Sequence, residues 1–103
     1  MEIIFFNKSS QKFFESLGIS IRPRVAKTFE LLEQYANELG MPHSKALGGG
    51  LFELRIVGIV STRFIYAFYS GKIWILHGFV KKSNRIPQQE IGYARTQLKK
   101  LLQ

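Results

Sequence analysis

Two arginines stand in the middle of apolar, β-prone runs, where a buried layer has no natural use for them. "LFELRIV" (51–57) carries Arg55, and "VSTRFIYAFY" (60–69) carries Arg63. Side chains alternate along a strand. Phe52, Leu54 and Ile56 therefore share one face of the first run, and Glu53 and Arg55 the other. In the second run Phe64, Tyr66 and Phe68 oppose Ser61, Arg63, Ile65 and Tyr69. Two guanidiniums on one face of neighbouring strands make a basic floor, unless each snorkels to solvent or pairs with Glu53. On such an open face Arg63 would contribute little to folding. A third run, "KIWILHGFV" (72–80), adds His77 and ends at Lys81 and Lys82. Alternation puts His77, Phe79 and Lys81 on one side, and Leu76, Gly78, Val80 and Lys82 on the other. A meander of the three runs would bring His77 and the lysine pair within reach of the arginines.

Arginine, lysine and one histidine suffice for phosphoryl transfer on RNA. RNA carries its own nucleophile, the 2′-OH. A protein need only orient it, take its proton, stabilise the pentavalent phosphate and protonate the leaving 5′-oxygen. Guanidiniums and ammoniums supply the stabilisation, and a desolvated lysine among like charges can serve as base. No carboxylate–histidine acid–base pair is evident along the chain. The two histidines, His43 and His77, lie 34 residues apart, and aspartate and cysteine are absent. No metal-site spacing follows, and neither a metal nor a cofactor is expected. "SKALGGG" (44–50) lacks the Gly-Lys-Ser/Thr ending of a phosphate-binding loop.

The charge distribution points the same way. The chain holds 15 Lys+Arg against seven acids, all glutamate, for a net charge of +8. Residues 1–40 are neutral; residues 41–75 carry +3 and residues 76–103 carry +5. A basic excess confined to one part of a chain fits a surface that meets a polyanion, either nucleic acid or the ribosome.

At 103 residues and 46% hydrophobic composition the chain is expected to fold as one domain, 1–103, with a real core. No apolar run approaches the ~18 residues of a membrane span, and "MEIIFFNKSSQ" turns polar too early for a secretory segment. A cytoplasmic protein with no membrane association is expected. "EIIFF" (2–6) reads as a buried strand. Asn7, Ser9 or Ser10 can cap a short helix that Gly18 closes. A second helix is predicted from about Ile21 to Leu39, capped by Ser20 and with Pro23 in its first turn; Gly40 and Pro42 end it. The two helices form an antiparallel pair on one sheet face. "SKALGGG" reads as a turn-rich connection, and the three runs as an antiparallel meander. A final helix starts near Pro87 with the stripe Ile91, Ala94, Leu98 and Leu101. The order is β-α-α-β-β-β-α, an α+β fold with a small antiparallel sheet.

"KALGGGLFELRI", the arginine strand "RFIYAFY", "ILHGFVKK" and the proline-led "PQQEIGYA" together resemble the phage-derived, HigB-like branch of the RelE toxin superfamily over roughly residues 45–95. The resemblance implies a RelE-like fold. It also implies a ribosome-dependent messenger-RNA endonuclease of a type II toxin–antitoxin system, held inactive by a helix-turn-helix, HigA-like antitoxin. The chain's own basic excess leads us to expect that antitoxin on the basic face or its rim. Carried over by position, Arg55, Arg63, Lys81, Lys82 and His77 are the candidate catalytic residues. Lys45, Lys81, Arg85, Arg95, Tyr69 and Tyr93 are the candidate RNA contacts. Thr62 stands where the family often has an aromatic, so stacking would fall to Tyr69 or Tyr93. The rival reading is a non-catalytic basic domain that binds RNA or protein. Both readings require a steep salt dependence of ribosome binding, because basic side chains release counterions from RNA phosphates. Affinity measured from low to moderate salt should fall along a straight log–log line, whereas a flat line would remove polyanion contact as the role of the C-terminal charge.

Overall fold

The computed structural model of the chain describes residues 1–58 and 60–103. Its elements are β1 (Ile3–Phe5), α1 (Lys8–Ser16), α2 (Arg22–Tyr35), a 3₁₀ turn (Ala36–Glu38), β2 (Ser44–Gly48), β3 (Leu51–Ile56), β4 (Thr62–Tyr69), β5 (Lys72–Val80) and α3 (Gln88–Leu102). The five strands form one sheet in the order β1-β5-β4-β3-β2. Neighbours are antiparallel except β1, which runs parallel to β5. The fold is α+β and consistent with a RelE-like architecture.

The local chemistry explains most of these elements. Asn7 caps α1, its side-chain oxygen accepting from the Ser10 amide at 2.9 Å. Pro23 sits in the first turn of α2, where a missing amide proton costs nothing. Ser20 does not cap that helix; Ile21 holds the cap position without a side-chain bond. Nor does α2 reach Leu39. Ala36 adopts φ 51°, which breaks the helix into the 3₁₀ turn, yet Leu39 still packs on the core. Ser70 and Gly71 both have positive φ and make the tight β4–β5 turn.

One expected turn is half strand. Residues 44–48 pair with β3, Lys45 opposite Glu53, and only Gly49 and Gly50 make the turn; both, like Gly48 at the strand end, have positive φ. The strand is short, polar on its exposed side and rich in small residues, so its sequence lacks a strand's alternation. A tertiary bond secures it: Ser44 Oγ and the Tyr66 hydroxyl share a buried hydrogen bond of 2.6 Å across the intervening β3.

Both faces of the sheet are covered. On one, Leu54, Ile56, Phe64, Tyr66, Ile73 and Ile75 pack with Val25 and Leu32 of α2 and with Phe13 and Phe14 of α1. This is the helix-pair layer that the apolar stripes predict. On the other face, Ile65, Ala67, Leu76 and Phe79 pack under Ala94, Leu98 and Leu101 of α3. The second face is therefore no open basic floor; α3 covers the part over β4 and β5. The pairing of β4 with β5 shifts register between Ile65 and Tyr66, with one extra residue in β5. That bulge turns both Leu76 and His77 toward α3, correcting the strict alternation that set them on opposite sides. Past it, Gly78 leaves room for the Phe13 and Phe64 rings.

Tyr66→Phe should cost about 1–2 kcal/mol, because Ser44 Oγ would stay buried without its partner. Burial raises the Tyr66 phenol above its ordinary value, with the Ser44 bond opposing. The folded state thus keeps this proton longer than the unfolded chain. The contribution is complete below the unfolded tyrosine value near ~10 and is lost as pH rises through the folded value. Denaturation curves taken across that alkaline window should show wild type losing stability with pH more steeply than Tyr66→Phe.

Candidate active site

The far end of the second sheet face escapes α3. Two cross-strand rungs meet there. In one, Lys45 of β2 lies opposite Glu53 of β3, which lies opposite Ile65 of β4, itself opposite His77 of β5. In the next, Arg55 of β3 stands directly opposite Arg63 of β4, which stands opposite Phe79. Two like charges in direct cross-strand contact repel. Glu53 lies between them. Arg55 Nε donates to Glu53 Oε1 at 2.9 Å, and Arg63 Nε lies 3.6 Å from Oε2, beyond hydrogen-bond reach.

Exposure grades this group. The Glu53 side chain is 2% exposed, Arg63 14% and Arg55 25%. Glu53 Oε2 and Arg63 Nε are buried without a hydrogen-bond partner, while Arg63 Nη1 donates to the Thr62 carbonyl at 3.1 Å. Burial lowers the Arg63 guanidinium below its ordinary value; Glu53 opposes the shift and Arg55 adds to it. Arginine remains charged regardless. Arg63 is thus not the exposed-face residue that alternation suggests. It lies behind Arg55 as part of a largely buried Arg–Glu–Arg group.

Above this group opens a cleft of about 270 Å³, lined by Lys45, Leu47, Glu53, Arg55, Lys81, Asn84, Arg85, Ile86 and Gln88. Its walls come from the edge strand β2, from β3, from the segment after β5 and from the first turn of α3. The Lys81 amide, bonded to the Ser61 carbonyl at 2.8 Å, continues β5 past Val80 and brings Lys81 to the rim. Four cations, Lys45, Arg55, Lys81 and Arg85, thus converge on a cleft that holds one buried carboxylate. Such a site attracts anions. A smaller depression on the opposite face, lined by Arg24, Lys27, Thr28, Leu31, His43 and Val57, is mainly apolar.

The remaining candidates lie elsewhere. Lys82 is exposed beside Lys81 and does not line the cleft. His77 Nε2 and Glu90 Oε1 are 2.9 Å apart, and the Tyr93 ring centroid is 4.6 Å from the His77 ring. A carboxylate–histidine pair therefore does exist. Thirteen residues separate its members, so only the docking of α3 on β5 reveals it. Tyr93 in turn shares a 3.0 Å bond with Ser9 of α1, so the His77 group faces α1 while Gln88 faces the cleft. Tyr69 is at the opposite end of β4, six residues or roughly 20 Å from Arg63 along the strand. The Arg95 guanidinium packs over Gly49 in the β2–β3 turn, also away from the cleft. Sequence reasoning missed Asn84 and Gln88 as lining residues, and nothing in their types marks them.

A family model described as "Phage derived protein Gp49-like (DUF891)" matches residues 5–99. The chain belongs to the Gp49-like family. That family is a RelE/toxin-like superfamily member. No curated protein gives a significant match. The match spans both rungs, the cleft and nearly all of α3 in this Gp49-like chain. Among its described residues, no helix is long and apolar enough to cross a membrane.

Arg63→Ala should cost about 3 kcal/mol, the low end of the range for breaking a buried ion pair by removing one partner. Arg55→Ala should cost less, since Arg55 is the more exposed of the two. Urea titrations of both variants against wild type check the order; equal midpoints for Arg63→Ala and wild type would contradict the buried-triad assignment.

Proposed function

We propose that this Gp49-like protein is the toxin of a type II toxin–antitoxin system, of the HigB-like branch, and that it cleaves messenger RNA at the ribosome. The observation that carries the reading is the convergence of Lys45, Arg55, Lys81 and Arg85 on one cleft. Phosphodiester cleavage by the RNA's own 2′-OH passes through a phosphorane that carries more charge than the ground state. Cations fixed around the scissile phosphate favour that state.

In this reading Arg55 contacts the scissile phosphate with the free edge of its guanidinium. Arg85 holds the neighbouring backbone from one wall, and Lys45 does so from the other. The 2′-oxygen attacks phosphorus in line, loses its proton to a base, and forms a 2′,3′-cyclic phosphate as the P–O5′ bond breaks. The 5′-oxygen then takes a proton. Lys81, on the rim of the cleft, is the side chain placed to take that proton. His77 acts at one remove, through its bond to Glu90 in the first turn of α3. The inhibitory partner is a helix-turn-helix, HigA-like antitoxin, whose acids would cover the cleft rim. The alternative, a basic domain that binds RNA or protein without cutting it, shares the cleft but not the reaction.

Induced expression should arrest growth, and primer extension should reveal cuts within translated messages. Arg55→Ala should reduce cleavage on programmed ribosomes about a hundredfold or more, the usual scale for a lost charge-stabilising donor. Lys81→Ala should fall with it, and His77→Ala should fall less. Normal growth under induction of a folded wild-type protein would favour the non-catalytic reading, and full cleavage by Arg55→Ala would remove the cleft as the active site.

A further inference from the structure

Glu53 is out of character with the cleft it lines. A carboxylate on the floor repels the phosphate that four surrounding cations attract. With its side chain 2% exposed, it serves no solvent contact. Only Oε1 has a hydrogen-bond partner, Arg55 Nε. Oε2 faces the equally unpartnered Arg63 Nε at 3.6 Å. Holding Arg55 through Nε has a geometric consequence. The guanidinium is a planar fork with five N–H donors, and the grip uses one; among the described residues neither Nη group has a hydrogen-bond partner, in a side chain that lines the cleft.

We infer that Glu53 is a positioning residue: it grips Arg55 by Nε, with Arg63 as the balancing charge behind, so that the Nη edge of Arg55 is aimed at a phosphate in the cleft. This rests on the endonuclease reading and assigns one further residue to it. The arrangement trades ground-state affinity for a guanidinium fixed where charge develops. Removing the Glu53 charge therefore moves binding and rate in opposite directions. A residue needed only for folding would lower both together.

The test uses the full chain, comparing wild type with Glu53→Gln. Binding is measured with a 2′-deoxy oligonucleotide, which cannot be cut, and the saturated single-turnover cleavage rate with message on programmed ribosomes. Glu53→Gln should bind the oligonucleotide at least as tightly as wild type, while the saturated rate falls about tenfold to a hundredfold, the scale of a small misplacement of a catalytic group. Arg55→Lys keeps the charge but loses the fork; it should retain binding and lose rate as far as Arg55→Ala. A wild-type rate in either variant overturns the inference. So does a parallel fall of binding and rate in Glu53→Gln that tracks its folded fraction in a thermal melt. Abolished cleavage in Glu53→Gln beside a normal rate in Arg55→Lys would make Glu53 a proton acceptor instead. If Glu53→Gln does not fold, the Arg55→Lys rate decides alone. If wild type binds but never cuts, the endonuclease reading fails, and the positioning role that rests on it fails with it; a wild type that cuts beside an equally fast Glu53→Gln removes the positioning role alone.

Discussion

The buried carboxylate of Glu53 is the constraint around which this end of the molecule is built. Taking a carboxylate out of water costs several kcal/mol unless opposite charges and hydrogen bonds offset it. Arg55 supplies the hydrogen bond and Arg63 the second charge. Neither can do so unless β3 and β4 keep the register that sets the two arginines opposite each other. A slip of one residue would carry Glu53 and Arg55 into the apolar layer beneath α1 and α2. The ion group and the two apolar layers therefore specify the same register. One does it by charge and the other by burial.

The rest of the fold holds that register in place. The helix pair packs over one face, and Glu53, Arg55 and Arg63 lie on the other. On that face α3 packs over β4, β5 and the turn end of β2 and β3, and leaves the Glu53–Arg55 stretch of β3 open as the cleft. Asn7 links the parts: it caps α1, donates to the Leu76 carbonyl at 3.0 Å and donates to Gln97 of α3 at 2.9 Å. One side chain thus ties the start of α1, the bulge of β5 and the middle of α3. The His77–Glu90 pair adds a second polar tie at the start of α3. The helix is held by more than its apolar stripe, and its first turn is fixed as a wall of the cleft.

The Gp49-like match over residues 5–99 takes in every residue that lines the cationic cleft. The cleft is small and open at the rim, below the usual size of a pocket that encloses a small molecule. On the proposed reading it takes a short stretch of a longer polyanion, and exposed cations such as Lys82 beyond the rim add attraction without shape.

Much of this was determined by the sequence itself. Apolar periodicity is local, and it marked three long strands, both N-terminal helices and the final helix close to where they lie. Alternation placed Glu53, Arg55 and Arg63 on one face because pleating makes that placement geometric. The charge gradient along the chain identified the half that carries the cleft. What the sequence left open is non-local. Strand β2 has no period of its own and exists because Ser44 reaches Tyr66 and its backbone pairs with β3. The bulge that turns Leu76 and His77 to one side depends on how β5 fits β4. The depth of Arg63, the pairing of His77 with Glu90, and the distance of Tyr69 and Arg95 from the cleft follow from where α3 docks and which strand ends meet. Pattern along a chain reports which way a side chain points; only packing decides what stands in front of it.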